Sequence, residues 1–211
     1  MIWTRFRRQP SDQSGEGRGS PSRQETIASL YGMIVAQARS PAFYRDFGVP
    51  DTVNGRFDMI VLHLALVLGR LRGSGADTEP LAQGLFDHFC RDMDGNLREM
   101  GISDLKVPKQ MKGIGEAVYG RLRAYDEALA APGLDTLEKL VIRNLQDDHL
   151  RDIAPGKTPE QTRAGQPVAA RAVAAYVRMS HDALRGQNPG RWEADGISFA
   201  DPPHAVSAEV R

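Results

Sequence analysis

The densest group of chemically capable side chains is Asp87, His88, Cys90, Asp92 and Asp94, all metal-binding types, packed into eight consecutive positions. Helical geometry turns each side chain by about 100° from the last, so these five fan out around an axis and cannot converge on one ion. Asp92, Asp94 and Asn96 match the start of a calcium loop. The turn glycine that such a loop needs is replaced by Leu97, however, and its closing glutamate by Ser103. No metal site is expected.

His63 lies inside an apolar run and is readable as a polar member of the core, a haem ligand or a general base. The first reading is the simplest, because no second haem ligand or partner motif points to it. His149, His181 and His204 sit in polar segments without a nucleophile at diagnostic spacing. The glycines of GIGEAVYG, residues 113–120, follow no strand and fail the dinucleotide and phosphate-loop patterns. The residues therefore support no catalytic assignment and no cofactor.

Composition narrows the field further. The 27 lysines and arginines balance 27 aspartates and glutamates, so the positive excess of a dedicated DNA or RNA binder is missing. The one cysteine, Cys90, rules out an internal disulfide and fits a reducing compartment. The most apolar run, Met59 to Leu68, has ten residues and contains His63, whereas a membrane span needs roughly 20. Any membrane contact must come from an amphipathic segment or through an embedded partner. Ile2, Trp3 and Phe6, interleaved with Arg5, Arg7 and Arg8, form one candidate peripheral tether, with a disordered tail as the plainer alternative. The same segment lacks the apolar core and cleavage site of a secretory signal.

The elements that position these residues are all helical in pattern. Residues 9–23 are rich in Gly, Ser and Pro and read as a linker, so we divide the chain into a flexible basic and polar segment (1–23), a helical domain (24–187) and an irregular tail (188–211). A capping residue near Ser22 or Glu25 precedes Ile27, Leu30, Tyr31, Ile34, Val35 and Ala38 at helical spacing. A short helix follows from Pro41 to Phe47. From Asn54 to Arg72 apolar residues surround the helix, the mark of a central helix buried on several sides, and Asp51 or Thr52 can cap it.

Thr78 is expected to cap a helix that ends at Gly101, with Ala82, Phe86, Phe89, Met93, Leu97 and Met100 inward and Asp87, Arg91, Asp94 and Arg98 forming the opposite ridge. Further helices are expected over 108–131, 135–147 and 166–185, with a loop over 155–165. In the tail, Trp192, Ile197 and Phe199 are placed to pin an extended strap. No stretch alternates long enough for a sheet. The fold class is all-α, one multi-helix domain.

The helix over 108–131 has two uncharged faces. Met111, Ile114, Val118, Leu122, Tyr125 and Leu129 form a core stripe, and Gly113, Ala117, Gly120, Ala124 and Ala128 form a smooth stripe roughly opposite. A glycine inside a helix costs about 1 kcal/mol relative to alanine. Close approach by another helix would justify that cost, and the partner is either a helix of this fold or a foreign one. Lys106, Lys109 and Lys112 flank the start of this face, and Tyr119 and Arg121 lie farther along.

The chain from Leu30 to Leu71 and from Phe86 to Arg121 carries an ordered series of short phrases. They include Tyr31-Gly32, Phe43-Tyr44, Gly48 to Asp51, Arg56-Phe57 and Leu62-His63-Leu64, then Asp92-Met93-Asp94, Asn96 to Gly101, Asp104-Leu105, Lys109, Lys112 and Tyr119-Gly120-Arg121. In this series the chain resembles the ubiquinol-cytochrome c chaperone family, assembly factors for the respiratory cytochrome bc1 complex. The resemblance implies an all-helical protein that binds newly made cytochrome b as client and is not an enzyme. It also implies work near the ribosome or with a small assembly factor, as mitochondrial members do.

On that reading Lys109, Lys112, Gly113, Ala117, Tyr119, Gly120 and Arg121 are the candidate partner-binding residues. The basic side chains would meet acidic client loops or lipid phosphates. Asp94, Arg98, Glu99 and Asp104 either fix the corner between two helices or touch a partner. The arginine-rich, lysine-poor composition and the absence of a convincing import leader point to a bacterial, cytoplasmic member, peripheral at the inner membrane; a eukaryotic one would work in the mitochondrial matrix. The alternative is a helical adaptor for another membrane- or ribosome-associated partner, and a third reading is a small enzyme with an acid–base site.

Overall fold

A computed structural model describes residues 22–72, 74–146 and 169–202. The N-terminal aromatic and arginine cluster, most of the Gly/Ser/Pro linker, the 155–165 loop, His149 and His204 lie outside the described residues. Within them the fold is all-α, and no strand occurs.

Helix α1 (Arg23–Ala38) opens with a reciprocal cap. The Glu25 amide donates to Ser22 Oγ at 3.3 Å and the Ser22 amide to Glu25 Oε2 at 2.7 Å, which satisfies two donors that the first helical turn leaves without partners. After the short α2 (Pro41–Arg45), α3 (Val53–Arg72) begins where the Gly55 amide donates to Thr52 Oγ1 at 3.1 Å. Nearly every residue of α3 from Asn54 to Leu68 is buried, and α1, α4, α5, α6 and α7 all pack on it. Each fully buried Leu, Ile or Val contributes about 1.5–3 kcal/mol, so this central helix supplies much of the hydrophobic stabilisation.

Helix α4 (Glu79–Glu99) starts differently from the expectation. Thr78 has helical backbone angles, and its hydroxyl does not cap α4; it donates to the carbonyl oxygens of Leu71 and Gly75 at 2.7 and 2.8 Å. Thr78 is the last residue of a 3-10 turn, Ala76–Thr78, that runs straight into α4, so it lacks the extended conformation of a capping residue and its side chain closes the end of α3 instead. The other end of α4 follows the pattern. Gly101, at φ +81°, lets the Ile102 amide donate back to Leu97 O at 3.1 Å and its own amide to Arg98 O at 2.9 Å.

Helix α5 (Val107–Ala130) returns along α3 and α4, and α6 (Asp135–Gln146) and α7 (Ala170–Arg185) pack on each other. Two arginines close helix ends that belong to neighbours. Arg178 of α7 donates to the carbonyls of Leu129, Ala131 and Gly133 at 2.6, 2.9 and 3.1 Å, which satisfies the end of α5. Arg70 of α3 donates to Leu184 O at 2.9 Å and Gln187 O at 2.7 Å, which satisfies the end of α7.

The tail after α7 is more ordered than its lack of periodicity suggested. A 3-10 turn at Pro189–Arg191 leads into one turn of helix, α8 (Trp192–Asp195), and Trp192 is only 2% exposed. The chain then leaves helix and runs across the body as a strap, with Ile197 and Phe199 half-buried against the core.

Candidate functional site

Helix α5 starts at Val107 because Pro108 tolerates a first-turn position, where no backbone donor is needed. Its apolar positions Ile114, Val118, Leu122 and Tyr125 recur at three and four residues, and all are buried. That rotation directs Lys109, Lys112, Glu116, Tyr119 and Gly120 outward. Tyr119 is 41% exposed, and a Cβ built on Gly120 or Gly115 meets no atom within 4 Å. Lys112 and Glu116 stand 3.9 Å apart across the same ridge.

The smooth stripe is therefore divided. Ala128 is buried, Ala117 and Ala124 are half-buried against the core, Gly113 is half-buried and Gly120 is open. No helix among the described residues packs on Gly120, so internal close approach does not account for that glycine.

Arg121 does not belong to the outer face. It is 7% exposed, its guanidinium lies 2.8 Å from the Asp58 carboxylate of α3, and it sits over the Phe57 ring at 5.6 Å. The physical reason is angular: at about 100° per residue Arg121 falls on the flank of the core stripe. A cation there must be paired inside, and Asp58, the lone acidic residue of α3, supplies the charge. The sequence signal for this pair was an acidic residue amid an apolar helix.

At the corner between α4 and α5, Arg98 donates to Asp94 at 2.6 Å and also pairs with Asp104. It thus joins the last turn of α4 to the loop before α5. Glu99 and Asp104 are exposed. These links run across the corner itself.

The metal-type cluster on α4 disperses. Asp92 accepts a 2.7 Å hydrogen bond from Tyr31 Oη, His88 packs on the Tyr31 ring at 4.8 Å, and burial pushes the Cys90 thiol up to about 11, away from reactivity at neutral pH. Among the described residues no three His, Cys, Asp or Glu side chains are placed to share an ion.

His63 is fully buried, with Nδ1 at 2.7 Å from Met59 O and Nε2 at 2.7 Å from Tyr176 Oη. A carbonyl can only accept, so Nδ1 carries the proton and Nε2 accepts from the phenol. Gln37 Nε2 donates to the same phenol oxygen at 3.0 Å. Burial lowers the His63 pKa to about 4 and keeps the ring neutral. Both ring nitrogens are committed, so the ring is a core polar link and offers no free nitrogen to a haem iron. Spacing places Tyr176 on one face of the 166–185 helix, but its hydrogen bonds and those of Gln37 arise only when α1, α3 and α7 meet.

Among the described residues no helix is long and apolar enough to cross a membrane.

Comparison with known proteins agrees with this architecture. The chain is similar to the crystal structure of the Cbp3 homolog from Brucella abortus, with 35% identity, a TM-score of 0.70, and coverage of 85% of this chain and 91% of that one. It is also similar to ubiquinol-cytochrome-c reductase complex assembly factor 1 of Xenopus laevis, 23% identical over 100 residues, 47% of this chain and 50% of that protein. The same factor of Drosophila melanogaster is 26% identical over 105 residues, 47% of this chain and 40% of that protein. The chain thus matches half or less of the length of these curated relatives. Residues 45–190, which include all of α3 to α7, match the family described as Ubiquinol-cytochrome C chaperone, and the chain belongs to this family of assembly chaperones, which are not enzymes.

Proposed function

We propose that this chain binds newly made cytochrome b and promotes assembly of the cytochrome bc1 complex, holding a client segment on the outer face of α5. Membership of the chaperone family carries the reading. The α5 surface supports its location: the open backbone at Gly120 admits a close partner helix, Tyr119 offers an amphipathic ring, and Lys109 and Lys112 offer cations to acidic client loops. Arg121 supports this surface from beneath through Asp58. The site of action proposed is the cytoplasmic face of the inner membrane in a bacterium, or the matrix in a mitochondrion, with the ribosome or a small assembly factor as further partners and peripheral contact with the bilayer.

The test is affinity capture of tagged protein from respiring cells after brief crosslinking, against an untagged control. Enrichment of cytochrome b is the expected result. Reproducible capture of a different partner without cytochrome b would replace this reading with that of a helical adaptor.

A further inference from the structure

The strap is held by side chains that read its main chain. Helices α1 and α7 both pack on α3, and residues 196–202 touch side chains from all three. Gln37 of α1 donates to Ala200 O at 3.2 Å, and the Ala200 amide donates to Ser180 Oγ of α7 at 3.3 Å. Gln187 brackets Ser198, donating to its carbonyl at 2.6 Å and accepting from its amide at 3.2 Å. The Ile197 amide points at Met33 Sδ, 3.4 Å away.

None of these five contacts depends on the identity of a strap side chain. Identity enters through Phe199, whose ring meets His63 edge-on at 5.1 Å, beside Phe43 and Tyr176, which also pack on one another. Main-chain hydrogen bonds for affinity, with a pocket for one side chain, is the way proteins grip an extended peptide.

The strap is also placed to open. Ser198 is exposed, and the bonds at Ile197 and Ser198 lie where water competes for them. Its pivot is Gly196 at φ +72°, where an added Cβ would come within 2.6 Å of the Met33 methyl. Only glycine fits that turn.

We infer that the furrow over α3 between α1 and α7 is a peptide-binding site, filled in cis by residues 196–202, which accepts in their place an extended segment of a partner polypeptide bearing an aromatic side chain. This site is separate from the α5 face and does not depend on which client that face holds.

Two measurements on the full chain test it. In native-state hydrogen exchange, the amides of Ile197, Ser198 and Ala200 are expected to exchange by local opening, at least about a hundredfold faster than buried amides of α3. If they exchange only with global unfolding, the strap is a permanent part of the core and the inference fails. In the second measurement, a fluorescent peptide of the strap sequence GISFADP is titrated into the full-length Phe199→Ala variant and the wild type. Apparent affinity scales with the fraction of protein whose furrow is open, so the variant should bind at least about tenfold tighter, and the peptide with Phe replaced by Ala should not bind. A variant with wild-type helicity and Tm that binds no peptide, or that dimerises through exchanged straps and excludes it, would overturn the proposal.

Discussion

Arg121 of α5 reaches Asp58 of α3 at 2.8 Å, with both side chains under a tenth exposed and the Phe57 ring against the guanidinium. A buried pair of this kind is expensive to break from one side, because the survivor is left as an uncompensated charge at a cost of about 3–5 kcal/mol. We expect Arg121→Met and Asp58→Leu each to lower unfolding stability by that amount in urea titrations, and the double variant to recover most of the loss. Client capture by the folded double variant then reports whether Arg121 acts only from beneath the surface. The expectation is that capture is retained.

Gly120 gives the opposite pattern. With open space around its Cβ position, Gly120→Leu should keep the fold and gain up to about 1 kcal/mol in helix propensity, while the new side chain blocks the client helix. Crosslinked recovery of cytochrome b should fall at unchanged or raised Tm. Normal capture by the folded variant would remove Gly120 from the binding surface.

His63 sets a pH dependence whose sign follows from its burial. Its pKa is about 4 in the folded protein and about 6.5 in an unfolded chain, so the unfolded state binds the extra proton between these values. The stabilisation is complete above about pH 6.5 and is lost as pH falls toward 4, by about 3 kcal/mol in total. Chemical denaturation across this window should show the slope in the wild type and a shallower one in His63→Gln, which keeps an acceptor for Tyr176.

Arg178 is predicted to matter for its shape more than its charge. Arg178→Met should cost about 1–3 kcal/mol, because two carbonyls at the end of α5 and that of Gly133 in the following turn lose a charged donor. Arg178→Lys should restore little of it, since a single ammonium cannot span the three oxygens that a planar guanidinium reaches. Thermal melts of the two variants decide the point.

The helices were readable because their signals are local. Ser22 with Glu25, the Gly101 stop and the three-and-four spacing of α5 each lie within a few residues, and the structure places them as expected. Thr78 misled because capping residues look alike whether they face the helix ahead or the one behind. Arg121 was assigned to the partner surface through the family resemblance and its charge, although its angular position lay near the core stripe; the deciding fact, the carboxylate of Asp58, sits on another helix. The His63, Tyr176 and Gln37 chain shares that property across still longer separations, and the bracket at Gln187, though it reaches only to Ser198, forms where the chain has left helix, so no spacing rule encodes either. On α5, periodicity separated the core stripe from the rest, but only packing could show which small residues remain uncovered.

The two borrowed helix ends make α7 a junction in the order of unravelling. Arg70 of α3 ties down the end of α7, and Arg178 of α7 ties down the end of α5. Detachment of α7 would therefore strip the terminal carbonyls of α5 of their donor at the same moment, so damage propagates from α7 toward α5. The reverse does not hold: fraying at the end of α5 leaves the Arg70 anchor intact. Packing on α3, α4 and α6 holds the rest of α5 in place, so the last turn of α5 alone is as firm as the seating of α7.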